Sequence, residues 1–169
     1  MPSPARRWLD QKVTLPTFLS SADLAMEPAG IRMQAFFSAK ISSATVLDNL
    51  KSQVDDIASG KIGFGEAQKS LTEFLAKEGY GIPTPGTKED RDLTDIASTS
   101  RMELVLRQNV AMAQAVGQRA VSENEFVMER YPNYRFIKNT DRHDEFDGVV
   151  LPKADPFWAT HYPPIDFRC

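Results

Sequence analysis

Both histidines and the single cysteine of this 169-residue chain fall in its last segment, DRHDEFDGVVLPKADPFWATHYPPIDFRC, residues 141–169. His143 stands among Asp141, Asp144 and Asp147, a grouping that could bind a metal ion or act as a general base. With His161 and Cys169 added, a four-ligand zinc site is sterically conceivable. No CxxC or HxxxH pair supports it, and acidic residues around one histidine in a polar loop also make an ordinary solvated turn. Nucleophilic catalysis needs a serine or cysteine beside a base. There is no GxSxG, and a terminal Cys169 is a poor place to preorganise a nucleophile. GKIGFGE, residues 60–66, lacks the GK[ST] of a phosphate loop and follows a helical pattern, so it reads as a connector between helices. No cofactor is expected, and no catalytic residue is assigned.

What sets the tail apart is its aromatic and proline content. Residues 131–169 hold half of the phenylalanine, tyrosine and tryptophan of the chain and five of its 11 prolines. Tyr134 and Phe136 alternate with Arg135 and Ile137 as in a strand, and VVLP at 149–152 is a second short strand cut off by Pro152, so a hairpin is expected. KADPFWATHYPPIDFRC carries too many prolines for regular structure. Its order is expected to come from burial of Phe157, Trp158, Tyr162 and Phe167.

The elements ahead of the tail read as helical. Residues 1–30, with Pro2, Pro4, Pro16 and Pro28, hold no sustained apolar period and are expected to form an extended arm lying on the protein's own body or on a partner. From Ile31 a helix is expected, with Ile31, Ala35, Ser38 and Ala39 on one side and Phe36 and Phe37 as anchors. Ser42 or Ser43 then caps a helix whose apolar stripe is Val46, Leu47, Leu50, Val54, Ile57 and Ala58, ended by Gly60. Ala67, Leu71, Phe74 and Leu75 mark a second helix, so residues 31–79 form a helical hairpin. Residues 80–92 read as an exposed linker. Leu93, Ile96, Met102, Val105, Leu106, Val110, Ala113, Val116 and Ala120 stay in phase over a long helix of about 45 Å, with small residues along its middle. The fold class is α+β, and residues 93–169 form its C-terminal domain.

Composition narrows the function. A formal net charge of −3, with 25% charged and 41% hydrophobic residues, suits a globular chain and argues against broad neutralisation of nucleic-acid phosphate. Arg101, Arg107, Arg119 and Arg130 could still form a local DNA-binding patch. No apolar run is long enough to cross a bilayer, and Pro16, Asp23 and Glu27 interrupt any signal-peptide core, so neither a membrane partner nor secretion by that route is expected. One cysteine makes no internal disulfide.

The run HDEFDGVVLPKADPFWATHYPPIDFRC resembles the C-terminal signature of the phage Mu F-like head morphogenesis family, also called minor head or minor capsid proteins. That signature has a histidine ahead of an FDG-like turn, a short strand, a DPFW-like box, a proline pair and a closing CRC. The matching residues are His143, Asp147, Gly148, Asp155, Pro156, Phe157, Trp158, Pro163, Pro164 and Cys169. IASTSRMELVLRQNVAMAQAVG resembles the helix that precedes the signature. The resemblance covers residues 90–169 well and the helical hairpin loosely. The stretch before His143 is shorter than the family form, and the chain stops on the first cysteine of the closing pair, so the clasp is expected to continue beyond it. The resemblance implies a non-enzymatic virion component, inside the capsid or at the portal vertex, assembled in the host cytoplasm. Its implied partners are the portal and other head proteins, with packaged DNA affected indirectly. His143, Asp147, Gly148, Asp155, Phe157, Trp158, Pro163, Pro164 and Cys169 would be structural or interaction residues. The rival expectation is a metal-dependent hydrolase or toxin-like fragment using His143, Asp141, Asp144 and His161.

Overall fold

At Ser43 an extended stretch turns into helix: its side chain accepts the Val46 N–H at 3.3 Å, satisfying one of the amide donors that every helix start leaves open. The computed structural model describes residues 3–28, 31, 34–36, 38–138 and 143–162. They fall into two compact units, Met1–Ala113 and Gln114–Cys169. The architecture is α+β, as expected, with helices dominating and two-stranded sheets as the β component.

In the first unit, where an extended arm is expected, two short helices form instead. In α1 (Pro4–Asp10) the Ser3 side chain accepts from the Arg6 N–H and Pro4 opens the first turn. Ala5 and Leu9, four residues apart, enter the core. In α2 (Ser21–Met26) Ser20 and Asp23 exchange the reciprocal bonds of a capping box. The helix expected from Ile31 is not continuous: Ala35–Phe36 form β2, paired in parallel with β1 (Val13–Thr14) in the register Val13 to Ala35 and Thr14 to Phe36. The Leu15 N–H continues the pairing onto the Phe36 carbonyl at 2.9 Å, and the Thr17 N–H reaches Ile41 O at 2.9 Å. Phe36 is buried by this pairing, while Phe37 lies outside the described residues.

α3 (Ala44–Ala58) and α4 (Phe64–Lys77) are the expected helical hairpin. Val46, Leu47, Leu50 and Val54 of α3 face Ala67, Leu71 and Leu75 of α4 in one apolar core. Gly60, at φ +73°, supplies the left-handed step out of α3. α5 (Thr99–Ser122) starts later than its apolar phase suggests. Asp92 accepts from the Thr94 N–H, Asp95 accepts from the Ala97 N–H, and Ser98 accepts from the Arg101 N–H. These local side-chain bonds divert Leu93 and Ile96 into turns and place the helix start after Ser98. Residues 80–92 are also tied down: the buried Asp90 carboxylate accepts from the Gly86 and Thr99 N–H groups, each at 2.9 Å. The Thr99 side chain foremost, and then the Gly86 and Thr99 amides, hold Asp90 below the usual carboxylate range.

In the second unit, the last turns of α5 are followed by α6 (Glu125–Arg130), capped by the Asn124 side chain on the Phe126 N–H. β3 (Asn133–Arg135) and β4 (Val150–Pro152) form the expected antiparallel hairpin, with Tyr134 opposite Leu151 and Arg135 opposite Val150. A 3-10 turn, Asp144–Phe146, lies in the described part of their connection. In the described part of the segment expected to be irregular a short helix forms, α7 (Phe157–His161). Asp155 starts it by accepting the Phe157 N–H at 2.9 Å, and Pro156 already has helical backbone angles.

Candidate functional site

The tail residues singled out by sequence build an aromatic clasp around Trp158. Its ring is 1 % exposed and meets Tyr134 edge-on at 5.4 Å and Phe157 edge-on at 4.9 Å. Its indole N–H, which burial would otherwise leave without water, donates to Pro152 O at 3.0 Å. Asp155 sets the approach of the ring: its carboxylate accepts from Phe157 N–H and its carbonyl accepts the Trp158 N–H. Phe157 carries the packing outward, stacked on His161 at 4.2 Å and edge-on to Phe146 at 5.6 Å. Phe146 in turn meets Phe136 at 5.9 Å.

The FDG turn closes the hairpin. Asp147 accepts the Lys138 N–H at 3.2 Å. Gly148 has φ +79° and donates to Phe136 O at 3.0 Å. A Cβ there would meet nothing within 4 Å, so it is the backbone angle and not crowding that calls for glycine. His143 also sits in the left-handed region, at φ 60° and ψ 36°, and its ring stacks against Phe146 at 6.1 Å. Its Nε2 is buried and has no hydrogen-bond partner among the described residues.

These placements bear on the chemical alternatives. Asp144 is joined to Lys138, whose ammonium it holds above the usual lysine range chiefly through that hydrogen bond. The His161 Nδ1 lies 3.0 Å from Phe157 O and 2.8 Å from the Thr160 hydroxyl, while its ring is packed against Phe146 and Phe157. Asp141, Pro163, Pro164, Phe167 and Cys169 lie outside the described residues. Among the described residues no group of three or more His, Cys, Asp or Glu is placed to hold a metal ion.

The arginines suggested for DNA are mostly engaged. Arg101, buried, donates to the Ser38 hydroxyl and Ala39 O, and burial lowers its pKa. Arg107 pairs with Glu103 and lies over the Phe64 ring. Arg119 pairs with Glu123, donates to Trp158 O at 3.1 Å and lies over Tyr162 at 5.1 Å. Of the four, Arg130 is exposed and makes no such bond among the described residues.

Sequence reasoning missed the polar anchors of the clasp. Lys153 is 5 % exposed, donates its ammonium to Ser122 O at 2.7 Å and lies 5.0 Å from the Tyr134 ring centre. The Tyr134 hydroxyl bonds the Ser122 hydroxyl. Tyr134 also meets Tyr162 edge-on at 5.3 Å, and burial raises the pKa of the Tyr162 phenol. No local pattern marks Lys153, because lysine is ordinarily a solvated residue.

No protein-family model and no solved structure matches the chain. Two curated proteins are similar to it. The Mu-like prophage FluMu F protein of Haemophilus influenzae (strain ATCC 51907 / DSM 11121 / KW20 / Rd) is 28% identical over 141 residues, which cover 80% of this chain and 33% of that protein. The putative capsid assembly protein F of Escherichia phage Mu is 25% identical over 151 residues, covering 83% of this chain and 33% of that one. The resemblance to phage Mu F proteins expected from the tail therefore extends over about four fifths of the chain, and the chain spans about one third of the length of the curated relatives it matches.

Proposed function

We propose that this chain is a minor head component of a tailed bacteriophage that acts in head morphogenesis by binding other head proteins. The observation that carries the reading is the similarity, across 83% of the chain, to a protein named as a putative capsid assembly protein. A non-enzymatic role fits how the tail is built. Trp158, Phe157 and Phe146 are taken up in packing, Asp144 and Asp147 in bonds to Lys138, and Asp155 in starting a helix. Three carboxylates that could do acid-base chemistry, Asp144, Asp147 and Asp155, thus have structural uses in the clasp.

The finer reading is association with the portal vertex and a place inside the virion. No helix among the described residues is long and apolar enough to cross a membrane. The clasp acts here as a rigid plug that shapes a binding surface, and packed aromatic clusters suit that role because they hold geometry without mobile loops. The test is co-expression with the portal protein and, separately, with the major head protein of the same virus, followed by sedimentation of the assemblies. Co-sedimentation of wild type, reduced at least tenfold in Trp158→Ala, is the expected result. A wild-type chain that stays with neither protein overturns the reading.

A further inference from the structure

Two surfaces of the second unit are apolar and uncovered. α6 has six residues, of which Val127 and Met128 are half-buried, while Phe126 is 81 % exposed. The second surface is the outer face of the β3–β4 hairpin. Tyr134 and Phe136 point into the clasp, which leaves Arg135 and Ile137 on the other side, with Val150 opposite Arg135. Ile137 is 65 % exposed and Val150 54 %. A two-stranded sheet with one bare apolar face is marginal by itself.

The charges on these surfaces are complementary. Beside Phe126 stand Glu125 and Glu129, one helical turn apart, against one cation, Arg130, all exposed. The bare sheet face carries Arg135. We propose that copies of this chain associate head to tail, with Phe126 of one copy seated on the Ile137 and Val150 face of the next and Arg135 set against Glu125 and Glu129. Different patches meet in such a contact, so it propagates into a ring or a filament and does not stop at a symmetric dimer. A helix laid on an apolar face draws most of its affinity from the buried aromatic, and the rim charges set register and salt dependence. This inference does not depend on which head protein the chain binds.

The test is sedimentation equilibrium of the purified chain from micromolar to millimolar concentration. Wild type is expected to gain mass with concentration, and less so in high salt. Phe126→Asp and Ile137→Asp are each expected to weaken association at least tenfold with an unchanged far-UV circular dichroism spectrum, because both positions are exposed. Mixed in equal amounts, the two variants retain one intact patch each and should form a heterodimer that grows no further. If either variant loses its fold, the charge exchange decides instead: Arg135→Glu breaks association, and adding Glu125→Lys with Glu129→Lys restores it. A wild type that stays monomeric at millimolar concentration overturns the proposal. So does a mixture of folded variants that stays monomeric, and so does a charge exchange that restores nothing.

Discussion

The Lys153 ammonium is 2.7 Å from the carbonyl oxygen of Ser122, the last residue of α5. A helix leaves its final carbonyls without intrahelical donors and concentrates partial negative charge there, so a buried cation at that point answers both deficits. The same ammonium lies over Tyr134, whose hydroxyl bonds the Ser122 side chain. Lys153→Met keeps much of the aliphatic stem but removes the donor. It is expected to cost about 1.5–3 kcal/mol, the range for a hydrogen bond to a charged group. Urea unfolding read by Trp158 fluorescence in a Trp8→Phe background measures it, and an unchanged midpoint contradicts the anchoring role.

Truncating Trp158 separates ring burial from hydrogen bonding. Trp158→Ala removes a fully buried ring and is expected to cost about 3–5 kcal/mol. Trp158→Phe keeps much of the packing and loses the bond to Pro152 O, a carbonyl that still accepts the Asp155 N–H. Its cost should be about 1 kcal/mol, plus a small volume penalty. Thermal unfolding of the two variants reads the difference. Equal losses would place the energy in the indole bond, and no loss in Trp158→Ala would mean that the ring does not hold the clasp.

What could be read from the sequence was local in cause. The stripe from Val46 to Val54 and the cap at Ser43 follow from residues within a few positions of one another, and both helices of the hairpin form where the pattern puts them. The alternation at Tyr134 and Phe136 likewise marks a strand because its period is internal. Ala35 and Phe36 misled because their partner strand is Val13–Thr14, beyond the reach of any local period. The start of α5 misled for a different reason. Leu93 and Ile96 keep helical phase, but Asp92, Asp95 and Ser98 offer the backbone stronger local bonds. In the clasp, Trp158 was legible as a large ring in a segment with few other means of order. Lys153 was not, since its use depends on a carbonyl 31 residues away.

The two glycines Gly148 and Gly81 should respond oppositely to alanine. Neither would crowd a neighbour, since a Cβ at either position meets nothing within 4 Å. Gly148 sits at φ +79°, where an L-residue is strained by about 1–2 kcal/mol. Gly81 is not in the left-handed region, so alanine there restricts mainly the unfolded chain and is expected to stabilise by about 0.4–1 kcal/mol. Chemical denaturation of both variants tests the pair. Destabilisation at Gly81 matching that at Gly148 would mean that backbone angle is not what distinguishes them.

Lys12 should give stability an alkaline dependence of unusual sign. The residue is buried, donates to Ala35 O at 3.1 Å and lies 4.4 Å from the Trp8 ring centre. Burial first, and the charge of Lys51 second, lower its pKa from 10.5 to about 8. Below about pH 8 the lysine is charged in both folded and unfolded chains, and the full cost of burying the charge is present. Between about 8 and 10.5 the folded chain has released the proton while the unfolded chain still holds it, so this group makes stability rise with pH. Above 10.5 both states are neutral and the cost is gone. Other lysines and tyrosines titrate in the same range, so the measurement is the difference in unfolding free energy between wild type and Lys12→Met. Relative to the variant, wild type should gain about 1–3 kcal/mol from pH 8 to 10.5. A difference that stays constant with pH would show that the ammonium is well solvated in the folded chain, and a difference that moves the other way would place a stabilising anion beside it.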